Sequence, residues 1–261
     1  MKTINNDYDS IARLWWSEDE GSTATIRYFI NPVRFNYFRR ILAARFTSGY
    51  SGKKALDVGC GGGFLSEELS RIGLSVTGVD PSVGSIGAAR EHAAQGGLSI
   101  SYRVSRGEEL PFADGTFDMV FCCDVLEHVS DLGRVISEIS RVLIPGGIFF
   151  FDTINRTLMS RVAVIYFMQE CGLTAFGRGD DHLWSMFIKP GELRDLMSRC
   201  AITLAELKGI APRHTRPSII LDLYRASRKK ISYRELGRRM DFIESDDLDC
   251  SYMGYAIKNR N

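Results

Sequence analysis

A glycine-rich turn set between a short β-prone segment and an amphipathic helical pattern constrains this chain more than any other feature. Residues 54–58 (KALDV) are apolar and strand-forming, and the chain then breaks into Gly59, Gly61, Gly62 and Gly63. Behind them Leu65, Leu69 and Ile72 recur at helical spacing. The alternation continues, with 74–79 reading as strand, 83–95 as helix, 100–104 and 119–122 as strands, 129–143 as helix and 148–151 as strand. Strands separated by helices pair in parallel, with helices covering both faces of the sheet. Residues 52–152 therefore predict a doubly wound α/β core.

Around that core the pattern changes. Residues 1–50 read as N-terminal helices, and 153–188 as an insertion built on the apolar stretch 158–176 and a Gly, Asp and Arg-rich loop at 177–182. Pro190 marks the start of a helix over 190–200, and 202–210 is β-prone. The segment 213–239 is helix-prone and basic, with nine Arg and Lys against Asp222 and Glu235. An acidic run follows (Asp241, Glu244, Asp246, Asp247, Asp249), and 251–258 alternates as a last strand. No repeat, low-complexity tract or linker divides the chain, so residues 1–261 predict one domain in which 211–249 forms a C-terminal cover.

Composition excludes several classes. With 44% apolar and 25% charged residues the chain can bury a sizeable core, which rules out wholesale disorder and a fibrous fold. Lys plus Arg (33) nearly cancel Asp plus Glu (32), so the overall basic excess that drives phosphate-backbone binding is missing and nucleic acid is not an expected partner. Six cysteines without a CxxC pair, behind a polar stretch at 1–10 with no apolar leader, predict reduced thiols in a cytosolic protein. The apolar run at 162–168 is far shorter than the roughly 20 residues that span a bilayer. Flanked by Arg156, Arg161 and Arg178, the stretch 158–176 reads as a lid, a core helix or an interfacial element touching a membrane from one side.

The turn itself is a candidate ligand site. Glycines at spacing two let the backbone turn tightly and let a ligand approach where a Cβ would collide, beside the free N–H groups of a helix start. A dinucleotide fingerprint needs a glycine where Phe64 stands. Asp80 closes the second strand, where a carboxylate can accept hydrogen bonds from ribose hydroxyls, and Asp57 precedes the glycines, where an anion suits a cationic ligand better than a pyrophosphate. The plainer alternative is a tight β-to-α turn with capping aspartates.

The run Asp57-Val58-Gly59-Cys60-Gly61-Gly62-Gly63, with Asp80 and Leu110-Pro111-Phe112, resembles the cofactor site of class I S-adenosylmethionine-dependent methyltransferases. The resemblance implies a Rossmann-like sheet of seven strands, the last one, 251–258, antiparallel. It also implies Asp57 near the methionine moiety and Asp80 on the ribose; Arg106 stands where the wider family often has an adenine-facing aspartate. Trp15-Trp16, Ile30-Asn31-Pro32-Val33-Arg34, Leu126-Glu127-His128-Val129, Asn155-Arg156-Thr157 and the 187–193 segment FIKPGEL occur in the order of the ubiquinone-biosynthesis O-methyltransferase family. That closer resemblance implies cofactor contacts from Arg34 and Cys123, and its main departure is the long basic segment after residue 213.

Methyl transfer from a sulfonium to a phenolic oxygen needs in-line positioning and removal of the phenol's proton. His128 follows the fourth strand and is the candidate base. Asp124, Glu127 and His128 form a DxxEH cluster that can serve catalysis or hold a divalent cation lowering a catechol hydroxyl's pKa, or merely shape the turn. The resembling family has ExxEH at this place. His182 is a second candidate from the loop, and His92 reads as a solvated helix residue. The expected activity is O-methylation of an aromatic small molecule, with a polyprenyl catechol as the implied acceptor. Methylation of another O, N or C acceptor uses the same site, as does binding of S-adenosylmethionine without catalysis; nicotinamide oxidoreduction is disfavoured by Phe64 and Asp57.

Overall fold

The computed structural model describes residues 12–17, 22–175, 182–214 and 218–260, so the polar stretch at 1–10 lies outside the described residues. One eight-stranded sheet carries the molecule: β1 (Lys54–Val58), β2 (Ser75–Asp80), β3 (Ser101–Val104), β4 (Phe117–Cys122), β5 (Leu143–Ile154), β6 (Ile202–Pro212), β7 (Phe242–Ser245) and β8 (Ser251–Lys258), in the order β3-β2-β1-β4-β5-β8-β6-β7. β1 to β5 pair in parallel, and β8 runs antiparallel between β5 and β6. The expected seven strands are therefore eight. The addition is β7, antiparallel to β6 at the sheet's edge, formed from FIES at the start of the acidic run.

The central strands are continuous apolar runs because both faces are covered. Leu56, Val58, Val120, Phe149 and Phe151 pack on one side with Val135 and Ile139 of the helix Leu132–Val142. Ala55, Met119, Phe121 and Phe150 pack on the other with Phe38 and Leu42 of the helix Asn31–Arg45 and Leu65 and Leu69 of the helix Phe64–Arg71. Phe121 and Phe150 stack with ring centroids 4.7 Å apart. Helix 129–143 of the sequence reading begins later, at Leu132, because the Asp131 side chain accepts from Arg134 N and caps it.

Strand register sets the site. Val58 pairs with Val79 and with Cys122, and Cys122 with Phe151, so β1, β2 and β4 end near one level while β5 runs on through Asp152 to Ile154. The glycine turn, Asp80, Asp124 and Asp152 all emerge at that carboxyl edge, where open α/β sheets take their ligands.

Elsewhere two readings change. The basic segment is two helices, Ser218–Ser227 and Tyr233–Met240, whose charges are largely paired: Arg225 and Arg239 with Asp222, Arg238 and Arg239 with Glu235. The apolar stretch begins with the short helix Leu158–Ser160 and continues as a wide π-wound turn, Arg161–Glu170. Leu158, Met159, Val162, Tyr166 and Leu173 are exposed, so this is not a core helix.

Candidate active site

Gly59, Gly61 and Gly63 adopt φ of +73°, +50° and +89°, a region closed to most side chains. The turn is anchored to β2: the N–H groups of Gly59 and Cys60 both donate to Val79 O, at 2.7 and 3.0 Å. Asp80 finishes the job, its Oδ2 accepting from Gly61 N and its Oδ1 from Ser82 N, each at 2.9 Å. Asp57 lies beneath the turn and accepts from Ser66 Oγ at 2.6 Å. Burial pushes its carboxyl up to about 6, partly offset by Ser66 and Arg34.

Arg34 is 3% exposed and sits at the centre of a buried charge network. Its Nε donates to Asn31 Oδ1 at 2.8 Å, while Nη1 donates to Asp152 Oδ2 at 2.9 Å and to Asp124. Asp152 Oδ1 in turn accepts from Asp124 N at 2.8 Å, and Asp124 sits at φ +54°, a left-handed position that aspartate tolerates. Burial works against the guanidinium's charge, but Asp124 and Asp152 hold it charged. Burial and Asp124 push Asp152 up, against the pull of Arg34. Cys123 is buried beside this network, its thiol pushed well up by burial.

The turn that follows brings Glu127, His128 and His182 together, with one ligand-type atom from each lying within 4.8 Å of the others. Asp124 is not in that group; its carboxylate is committed to Arg34. The His128 and His182 rings are 4.9 Å apart between centroids. Glu127 Oε2 accepts from Thr153 Oγ1 at 2.8 Å, whereas Glu127 Oε1 and His128 Nδ1 are buried without partners. His182 Nδ1 meets Gln169 Oε1 at 2.7 Å, which leaves its other nitrogen toward the cluster unassigned to any protein partner. Burial lifts Glu127 to about 8, helped by Asp124, and drops His128 to about 4 and His182 to about 3. Two neutral imidazoles and a carboxyl with an orphaned oxygen fit a divalent cation, which would recover the cost of burying them.

Two histidines named from the sequence gain partners that only the fold reveals. His92, read as solvated, meets the wholly buried Glu67 through Nδ1 at 2.6 Å and stacks on Trp16. Of the 177–182 loop only His182 lies among the described residues, and its packing against His128, 54 positions away, has no local signal in the sequence.

A family model described as a methyltransferase domain matches residues 56–151. The chain is 34% identical over 257 residues to a ubiquinone biosynthesis O-methyltransferase of Mesorhizobium japonicum, covering 96% of this chain and 92% of that protein. It is 37% identical over 209 residues to the enzyme of the same name from Azorhizobium caulinodans, covering 78% and 81%. Among solved structures, one from Galdieria sulphuraria assigned as a sarcosine dimethylglycine methyltransferase superposes with a TM-score of 0.62 at 16% identity, covering 98% of this chain and 99% of that one. That likeness is one of fold.

Proposed function

This chain belongs to the ubiquinone biosynthesis O-methyltransferase family, and from that premise we propose that it methylates a phenolic hydroxyl of an aromatic small molecule, with a polyprenyl-bearing catechol as acceptor class. It is an S-adenosylmethionine-dependent methyltransferase. The observation that carries the finer reading is the Glu127, His128 and His182 cluster at the same sheet edge as the glycine turn, since a phenol must give up its proton to attack and these groups can take it or acidify it. In this reading residues 52–152 hold the cofactor, with Gly59, Gly61 and Gly63 giving close approach, Asp80 toward the ribose and Asp57 toward the methionine end. Arg34 and Cys123 are further cofactor contacts in this reading, and the described parts of 1–50, 153–188 and 211–249 are its surrounding elements.

The reaction is a displacement: the acceptor oxygen's electron pair forms the new C–O bond as the S–C bond breaks, leaving S-adenosylhomocysteine. The acceptor's proton passes to His128, which is neutral over the physiological range with Nδ1 free to accept. An imidazole held near 4 is a weak base, so the acceptor hydroxyl must itself be acidified. A divalent cation held by Glu127, His128 and His182 would supply that by drawing charge from the oxygen, with His128 then a ligand and the acceptor's proton released to solvent instead of to its imidazole. Asp124 acts through Arg34 and through the start of the turn rather than as a ligand.

S-adenosylhomocysteine is expected to raise the melting temperature where NADH does not, and Asp80→Ala to abolish the shift. Equal shifts from both ligands would sink the assignment. The ligand's ammonium beside Asp57 favours the ionised carboxyl, so binding releases a proton. Affinity should rise about fivefold from pH 5 to 6 and less than about twofold from 6 to 7, following a carboxyl at about 6. Labelled-methyl turnover against catechols, lipid quinol precursors and amines separates the O-methylation reading from other acceptors, and turnover on none of them would leave a binding module.

A lipid surface is the second reading for the insertion. Among the described residues no helix is long and apolar enough to cross a membrane. Yet Leu158, Met159, Val162, Tyr166 and Leu173 are exposed, as are Ile220 and Leu221 on the helix Ser218–Ser227, and Ser227 Oγ donates to Leu173 O at 2.7 Å, tying the two elements together. Arg161 lies over Trp184 beside them. Scattered single apolar residues need no explanation, but this set on two tied elements with Arg161 beside it fits the headgroup boundary of an anionic bilayer. Co-sedimentation with anionic vesicles is expected, reduced severalfold by Leu158→Asp with Met159→Asp; wild-type protein that stays in the supernatant would remove the reading.

A further inference from the structure

We propose that Trp15 is the roof of the cofactor site and that Trp16 is a positioning residue that clasps the roof shut. The inference rests on the reading that S-adenosylmethionine lies on the glycine turn.

Trp15 packs directly on the turn. A Cβ built on Gly61 would come within 2.5 Å of its ring, and one on Gly62 within 2.4 Å of its side chain, so the bare backbone of these glycines is already matched to an indole. Its Nε1 donates to Ser85 Oγ at 2.9 Å, on the helix Val83–Gln95 that follows Asp80. The indole thus bridges the turn after β1 and the helix after β2, the two places where the methionine and ribose ends of the cofactor are held in this reading. A ligand entering that face must pass Trp15 or lie under it.

Trp16 is held by four groups. Its ring stacks on His92 with centroids 3.3 Å apart and planes 2° from parallel, and meets the edge of Phe64 at 4.6 Å. Its Nε1 donates to Gly62 O at 2.9 Å, and the Arg27 guanidinium lies over its ring at 5.1 Å. His92 is itself fixed by Glu67, whose carboxylate also binds Arg71 at 2.6 Å. An aromatic stack, a cation–π contact and a hydrogen bond to the turn's own carbonyl give a clasp that touches neither the acceptor end nor the Glu127 cluster. Removing it should therefore change cofactor retention alone.

The test is Trp16→Ala. Loss of the stack and its hydrogen bond should speed S-adenosylhomocysteine dissociation about tenfold and raise the S-adenosylmethionine KM by about as much. The acceptor KM and kcat at saturating cofactor should stay within about twofold of wild type, because uniform cofactor binding is all that is lost. Trp16→Phe, which keeps the ring, should fall between. In a Trp184→Phe background the remaining indoles are Trp15 and Trp16, and saturating S-adenosylhomocysteine should change their emission. Unchanged dissociation and KM in Trp16→Ala, or unchanged emission on binding, overturns the proposal. Should Trp16→Ala not fold, His92→Ala removes the stack from its other side and is read in the same way. Wild-type protein that does not bind S-adenosylhomocysteine at all fails the site reading itself and takes the roof with it.

Discussion

Arg34→Met should lower stability by about 3–5 kcal/mol, because it leaves Asp152 and Asp124 as buried or half-buried anions with no counter-ion. For a chain of this size that corresponds to a melting temperature roughly 10 °C lower. The loss should depend on pH in a defined sense. Burial already raises Asp152 against the pull of Arg34, and without the guanidinium it rises further. An acid whose folded pKa exceeds its unfolded value supports the fold while protonated and withdraws that support as pH climbs through the folded value. The variant's deficit should therefore be smaller at pH 5 than at pH 8. Scanning calorimetry at the two values checks both statements, and a deficit under 2 °C at pH 8, or one equal at both, would refute them. Arg34→Lys should rescue little, because an ammonium cannot reproduce the planar fork that serves Asn31, Asp124 and Asp152 at once. Since Asp152 holds the Asp124 amide, loosening should spread into the turn that carries Glu127 and His128.

His128→Ala is expected to cut turnover by about 10² to 10³ at saturating cofactor, the range of a lost proton acceptor, while the melting shift caused by S-adenosylhomocysteine persists. His128 is not among the cofactor's expected contacts, whose main anchors Asp57, the glycines and Asp80 lie on β1, β2 and the turn after β1, so the two readouts separate. Turnover near wild type would reject the proton-acceptor role. The cation has its own test: equilibrium dialysis against manganese should show retention by wild type that His128→Ala and His182→Ala both lose. If chelation leaves wild-type turnover intact and no manganese is retained, the cation falls while the base stands.

Much of this architecture is legible in the chain because the signals are local. The β1 segment KALDV and the glycines behind it declare strand and left-handed turn within ten residues, and 83–95 and 251–258 read at the bounds they adopt. What could not be read is made by contacts between distant residues. Arg34 meets Asp152 across 118 positions, and nothing in INPVR says whether that arginine is solvated or buried. Residues FIES form β7 because Gly209 to Pro212 offer an open edge, not because of any alternation of their own. The cation-type cluster follows the same rule: Glu127 and His128 are neighbours in sequence, but the third member arrives from a loop more than fifty residues on, while the nearer Asp124 is drawn off by a helix that precedes the core.

The eighth strand has a consequence for how copies of this protein meet. A sheet edge offers unpaired N–H and C=O groups to any passing strand, and long apolar edges are where chains zip together. Here both borders end in strands of four residues, β3 and β7. Glu244 of β7 shares Arg40 with Glu206 of the neighbouring β6, and β7 is followed by Asp246, Asp247 and Asp249, so this rim is short and rich in carboxylates. Two copies of the β7 rim meet carboxylate to carboxylate and repel before their backbones can pair, so by closing this border with FIES the chain discourages β7-to-β7 extension into a longer ribbon of copies.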